Sequence, residues 1–476
     1  DGQPATPESD LLGEFMETFD IAVIGAGPGG YPAALRAAQL GARVALLEKE
    51  QLGGTCLNWG CIPTKALIAA SEMFEKIKHA EALGISAGDV KINYAKLVAH
   101  KDNAVGVLRD GVRQLLAAHG VKTFTGVASF ADRHTIEAGG ERISARKIII
   151  ATGSTSAMPG FLPQHERVVE SRAFLELREL PQSLMILGGG FIGCELACLA
   201  ARFGVQVTLV ELLEDILPLL DGDVRREVRL HMEKNLGIRV LTGRALEKIS
   251  ADDRSVKGRC GDETLSADLL LCAVGRKPVT DGLKLENAGL KTQEGGFIEA
   301  DDYCRTSVAH IFAVGDVTGK IQLAHFATAQ GIAAAENAVG ARLRRHETIV
   351  PNVIFTSPEI GMVGWSEEEA KKRNRAVKTG KFRFAGLGKG LATGETTGFV
   401  KWVADAATDQ LLGAAAVGPH ATDLIAEATV AIRHELTARE LGRTIHAHPT
   451  FGEAWMEAAH AVHGECLHAP PRRKPL

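Results

Sequence analysis

A chain of 476 residues is longer than one hydrophobic core usually serves, so two to four domains are expected. With 45% hydrophobic and 24% charged residues it has the make-up of a soluble globular protein, and a net charge of −4 gives no electrostatic reason to expect nucleic acid or an anionic membrane as partner. No apolar run reaches the length of a membrane-spanning helix and the N-terminus lacks the charged-then-apolar layout of a leader, which predicts a cytoplasmic protein.

Residues Asp1 to Thr18 are polar, acidic and aperiodic, which predicts a disordered extension within which Met16 is a candidate start. From Phe19 to Ile24 the chain reads as a buried strand. It runs into Gly25-Ala26-Gly27-Pro28-Gly29-Gly30 and then a helix, with Pro32 at the edge of the first turn, where a missing N–H costs little. A second strand, Arg43 to Leu47, ends at Glu48, about twenty residues past the glycines, where a carboxylate meets a ribose hydroxyl pair. Strand, glycine-rich turn, helix, strand and acid together predict a dinucleotide site. FAD and NAD share this mode of phosphate binding, and the unit alone does not separate them.

Directly after this unit comes Gly53-Gly54-Thr55-Cys56-Leu57-Asn58-Trp59-Gly60-Cys61-Ile62-Pro63-Thr64-Lys65. In an ideal helix positions i and i+5 lie roughly 8–9 Å apart, whereas a disulfide wants Cα atoms about 4.4–6.8 Å apart. A bond here needs a bent first turn, and Gly53, Gly54 and Gly60 supply the backbone freedom for one. A bond held off its preferred geometry is more easily reduced, and a helix N-terminus favours a thiolate. Spacing alone also admits two buried thiols or an inert staple. The other six of the eight cysteines are scattered. Cys194 and Cys198 share a helix face, but with no His or further Cys at zinc spacing they read as core residues, and no metal site is predicted.

Helices are predicted over Lys65 to His79 and Tyr94 to His119, and Lys147 to Ser154 reads as a strand and tight turn. Near Leu184 the opening pattern repeats: strand Leu184 to Leu187, glycines Gly188, Gly189, Gly190 and Gly193, a helix, strand Val207 to Val210, and Glu211. Two complete fingerprints predict two dinucleotide sites. Glu211 would repel a 2′-phosphate, and no Arg or Lys occurs from Leu212 to Leu220 while Glu214 and Asp215 add negative charge, so NAD is favoured over NADP. Two nucleotides flanking a dithiol suggest an electron path to sulfur.

Leu269 to Val274 reads as a strand ending in the turn Gly275 to Pro278, which could face the second nucleotide, and His310 to Asp316 as a buried strand with an acid at its carboxyl end, where such sheets bind ligands. Beyond about Val350, strands at Gly398 to Val403 and Leu411 to Val417 and a helix at Ala421 to His434 predict a separate α+β domain. His448 precedes a proline and has Glu453 five residues on, a pairing that suits an oriented general base.

These motifs resemble the pyridine nucleotide–disulfide oxidoreductases, over roughly Phe19 to Leu467, and within them the branch that oxidises protein-bound dihydrolipoamide. The resemblance rests on Gly54 to Asn58, Cys61 to Lys65, both fingerprints, Ala313-Val314-Gly315-Asp316, and His448-Pro449-Thr450 with Glu453. It implies an α/β fold with two Rossmann-like domains: FAD-binding (19–155) and NAD-binding (156–280), then a central segment completing the FAD site (281–350) and an α+β dimerisation domain (351–476). FAD would lie on Gly25, Gly27 and Gly30, with Glu48 on its ribose and Lys65 near flavin N5. Thr152, Gly153, Ser154, Asp316 and the segment Gln322, Leu323, Ala324, His325 would also line it. NAD would lie on Gly188, Gly190 and Gly193 with Glu211 on its ribose and Glu195 and Gly275 close by. Cys56 would exchange with the substrate and Cys61 face the flavin. His448, supplied by the other subunit of a homodimer and oriented by Glu453, would take the proton. The implied partners are the lipoyl domains of 2-oxo acid dehydrogenase or glycine cleavage components. Trp59 departs from the small aliphatic usual between the cysteines and Gln330 from a usual acid. Cys466 stands alone near the C-terminus and no arginines follow the second fingerprint, which fits mercuric ion and glutathione reductases poorly. A disulfide reductase with another substrate, or a redox-idle flavoprotein serving in assembly, stays open from sequence.

Overall fold

The computed structural model describes residues 17–344 and 349–470. Met16, the extension before it and the basic tail after Pro470 lie outside the described residues. The chain forms two compact units. Among the described residues, one takes in those up to Cys56, Leu108–Ser154 and those from Pro278 to residue 344; the other takes in Leu57–Val107, Thr155–Lys277 and those from residue 349 on.

In the first unit, parallel strands lie in the order Lys122–Thr125, Val44–Glu48, Glu17–Ile24, Glu141–Ile150, Ile311–Ala313. Their apolar runs are continuous because both faces of such a sheet are covered. The helix Gly30–Gln39 packs on Ala324–Ala338 through small residues, so closely that a Cβ on Gly331 would sit 2.0 Å from the Gly29 carbonyl oxygen. The first strand starts at Glu17, before the predicted Phe19, because Glu17 and Thr18 pair with Ile143 and Ser144 and the Glu17 carboxylate takes hydrogen bonds from Arg43 and Lys122. The strand expected at Lys147 likewise begins early, at Glu141. Its polar first half pairs antiparallel with Thr135–Ala138.

The second unit repeats the parallel arrangement with the order Arg239–Leu241, Gln206–Val210, Ser183–Leu187, Leu269–Cys272, Val168–Glu170. An antiparallel meander, Leu246–Ala251, Val256–Cys260 and Glu263–Ala267, accompanies it. Cys194 and Cys198 are buried in the core around the Phe191–Arg202 helix. The C-terminal part is a five-stranded antiparallel sheet, Asn352–Ile354, Ile360–Gly364, Leu411–Val417, Phe399–Asp405, Val377–Arg383, with the helices Ala421–Arg433 and Glu453–Val462. Trp402 and Trp455 are fully buried there, and each indole N–H is satisfied, by the Trp455 and Leu424 carbonyls respectively. The predicted turn Gly275 to Pro278 is instead a short strand from Arg276. Among the described residues, no helix is long and apolar enough to cross a membrane.

Candidate functional site

The two glycine-rich turns are built alike. Gly25 and Gly188 have φ of +97° and +110°, and a Cβ on either would lie 2.5 Å from the carbonyl oxygen of Ala151 or Ala273. Gly30 and Gly193 let each helix approach the start of its turn: a Cβ there would sit 1.8 Å from the Gly25 oxygen and 2.0 Å from the Gly188 oxygen. The middle glycines behave differently. A Cβ on Gly27 would meet nothing nearer than Gly54 at 3.9 Å, and one on Gly190 nothing within 4 Å. They face open space at a helix N-terminus, the cradle a diphosphate fits. Gly275, at φ +135°, also faces open space.

Each acid after the second strand does a task that sequence did not show. Glu48 accepts from the amides of Ala26 (2.8 Å) and Glu50 (2.9 Å); Glu211 accepts from Gly189 (2.6 Å) and Leu213 (2.8 Å). Each carboxylate therefore clamps its own turn, with lone pairs left for ribose hydroxyls. The negative field ascribed to Asp215 is reduced: Arg229 bonds it at 3.2 Å and Arg225 lies 3.8 Å away, both reaching back from the helix Gly222–Lys234.

In the first unit, Thr152 donates to the Val279 carbonyl, Gly153 turns the chain at φ +70°, and Ser154 donates to Asp316 at 2.5 Å. Asp316 lies in the one-turn helix Gly315–Thr318 after the Ile311–Ala313 strand. Gln330 gains a structural account, because its buried side chain accepts from the Gly315 amide at 2.9 Å and so fixes that turn. Gln322 and Leu323 lead into the helix that starts with Ala324 and His325.

Cys56 and Cys61 are disulfide-bonded. The expected bend takes the form of a break: a short helix Gly54–Trp59 ends, Gly60 adopts φ −135° and ψ −105°, and a new helix runs Cys61–Lys78. A single continuous helix would hold the sulfurs too far apart. In the second unit, Lys65 from this helix bonds Glu195 at 2.8 Å and lies 4.5 Å over the Phe355 ring, while the other Glu195 oxygen accepts from the Phe355 amide at 2.8 Å. Glu195 is thus held by Lys65, 130 residues away in sequence, and by the Phe355 amide, 160 residues away, as well as standing beside the second turn. Trp59 also has a partner that sequence did not reveal, the Arg172 guanidinium 3.8 Å from its ring centre.

His448 lies in the loop before the Glu453–Val462 helix, its side chain 75% exposed, with Nδ1 2.8 Å from Glu453. Burial pushes the Glu453 carboxyl up, but the Thr450 amide, His448 and His446 outweigh it and hold the carboxyl below its ordinary value. An ionised Glu453 accepts only, so Nδ1 carries the hydrogen and Nε2 keeps its lone pair, exposed to whatever approaches.

Residues 19–331 match the family model for pyridine nucleotide-disulphide oxidoreductases and residues 350–459 that family's dimerisation domain. The chain is 41% identical to a dihydrolipoyl dehydrogenase of Chlamydia muridarum, covering 96% of this chain and 100% of that protein. It is 43% identical to one of Thermus scotoductus, covering 95% and 99%. Among solved structures, the HOCl-induced flavoprotein disulfide reductase RclA of Escherichia coli superposes with a TM-score of 0.84 at 28% identity, covering 92% of this chain and 99% of that one.

Proposed function

The chain belongs to the pyridine nucleotide-disulphide oxidoreductase family, and within it we propose that the protein is a dihydrolipoyl dehydrogenase, oxidising protein-bound dihydrolipoamide with NAD as electron acceptor. The observation that carries this reading is the Cys56–Cys61 disulfide, set at a helix break directly after the first glycine-rich unit. FAD is the cofactor of the first turn and NAD the coenzyme of the second, where Glu211 stands at the ribose position and no basic residue follows before Leu220.

One substrate thiolate attacks Cys56 sulfur; the Cys56–Cys61 bond breaks and Cys61 leaves as a thiolate. The second substrate sulfur then attacks the first, displacing Cys56 and closing the lipoamide disulfide, so two electrons have passed to the enzyme dithiol. The free Nε2 of His448 takes the proton, and Glu453 stabilises the imidazolium that forms. Bound FAD supplies the two-electron relay from that dithiol to NAD. Cys61 occupies the first turn of the Cys61–Lys78 helix, where the backbone amides stabilise its thiolate. Because the chain carries the family's dimerisation domain, we read it as a homodimer in which the partner subunit's His448 serves each disulfide. Lipoyl domains are the protein substrates and the cytoplasm is the compartment.

The test is NADH formation by purified, FAD-supplemented protein given dihydrolipoamide and NAD, run beside NADP and beside glutathione disulfide with NADPH. Turnover confined to the first pair supports the reading; turnover only with glutathione disulfide would replace it by the other-substrate alternative. Flavin binding with neither activity would favour the assembly role.

A further inference from the structure

Two residues before the base, His446 lies in a different environment. Its side chain is 8% exposed, against 75% for His448. Both of its ring nitrogens meet acceptors: Nδ1 the Thr444 carbonyl oxygen at 2.9 Å and Nε2 a Glu427 carboxylate oxygen at 2.7 Å. A neutral imidazole has one N–H, so it would leave one of these contacts as lone pair against lone pair. Against an ionised Glu427, only the doubly protonated ring satisfies both. The charged groups facing it come from the two helices flanking the loop, Glu427 on Ala421–Arg433 and Glu453 on Glu453–Val462. Glu453 in turn faces His446, His448 and, at longer range, His468.

We propose that His446 is a positioning residue that stands as an imidazolium between the Thr444 carbonyl and Glu427 and so ties the base-carrying loop to the Ala421–Arg433 helix. This rests on the reading of His448 as the base. The physical argument has two parts. The ring faces both Glu427 and Glu453, and each carboxylate favours its doubly protonated form. The same ring braces the loop, since its two hydrogen bonds join the Thr444 carbonyl to the Glu427 carboxylate. The hydrogen bond that His446 donates to Glu427 raises its proton affinity above the ordinary imidazole value against the opposing effect of burial, in keeping with the geometry.

A direct measurement needs no substitution. Exchange of histidine C2 hydrogens with deuterium, followed by mass spectrometry across pH on the FAD-loaded dimer, reads the titration of each imidazole. His446 is expected to titrate above a free imidazole; a midpoint at or below that of a free imidazole overturns the proposal. The kinetic test is the rate of flavin reduction by dihydrolipoamide in His446→Gln and in His446→Lys, with NADH-driven ferricyanide reduction as a control on flavin and NAD. Losing the tie to Glu427 is expected to slow that step roughly 10-fold or more in His446→Gln, with part of the loss recovered in His446→Lys, which restores a cation beside Glu427. A normal rate in His446→Gln overturns the proposal if His448→Gln abolishes the step. If His448→Gln keeps the wild-type rate, the base assignment falls first and this inference with it.

Discussion

Replacing Gly190 and Gly193 one at a time by alanine separates what a glycine does for the fold from what it does for a ligand. Gly190 has φ −73° and ψ −176°, extended backbone that alanine adopts freely, and its new Cβ would meet no atom within 4 Å. Gly190→Ala is therefore expected to leave the unfolding midpoint in the absence of NAD unchanged. With NAD present the methyl group stands where the diphosphate must approach the helix N-terminus. Losing one charge-assisted contact, about 1.5–3 kcal/mol, raises the NAD dissociation constant by roughly 10- to 150-fold. Gly193→Ala reverses the balance. Its Cβ would lie 2.0 Å from the Gly188 carbonyl oxygen, with the Ile186 side chain at 3.5 Å, and neither the turn nor the strand end can give way without moving the sheet. A destabilisation at the upper end of overpacking, about 3 kcal/mol or more, is expected. Calorimetry on the apoprotein and fluorescence titration with NAD read the two quantities separately. A destabilised Gly190→Ala that binds NAD normally would refute the assignment of that turn to the coenzyme.

Glu211→Ala is expected to weaken NAD binding twofold over, by losing a ribose acceptor and by releasing the Gly189 and Leu213 amides it clamps; adding Leu213→Arg in that background should shift the kcat/KM ratio toward NADP. Lys401 is 3% exposed between Asp221 and Asp223, so Lys401→Ala leaves the buried Asp221 carboxylate without its cation, while Asp223 keeps Lys381, and should cost about 3–5 kcal/mol in chemical unfolding. The Asp405 carboxyl is held down at about 2 by the Thr408 and Ala407 amides and by Arg375. A depressed folded value means that this stabilisation is complete above the unfolded value near 3.8 and fades as pH falls toward 2, so Asp405→Asn should flatten that part of the acid-unfolding curve. Co-expressing Cys56→Ser and His448→Gln chains and isolating the mixed dimer should restore about half of the wild-type activity per dimer if sites are shared, since one of two sites is then intact; no recovery would assign each site to one chain.

The motifs that name the chemistry are local, and local patterns are legible. Strand, turn, helix and acid recur within about thirty residues of each other, the cysteines are five apart, and His448 and Glu453 lie on one loop and the helix it enters. What stayed hidden is pairing across long sequence separations. Nothing near Lys65 announces Glu195, nothing near Gly315 announces Gln330, and Trp59 gives no sign of Arg172. These contacts depend on which sheet edges and helix faces the fold brings together. The early starts at Glu17 and Glu141 have the same origin, since their polar residues become strand only through Ile143, Ser144 and Thr135–Ala138. The break at Gly60 was expected as a bend, because spacing told how far the sulfurs had to move but not how the backbone would move them.

The central claim is that electrons pass from a substrate dithiol to NAD through Cys56 and Cys61. It is tested most directly by mixing FAD-loaded protein anaerobically with a known amount of dihydrolipoamide and excess NAD, and counting NADH formed against thiols consumed, in the wild type and in Cys61→Ser. The account predicts one NADH for each two thiols lost in the wild type, and none from the variant even though it still binds FAD and NAD. NADH formed at the same ratio and rate by Cys61→Ser would contradict it.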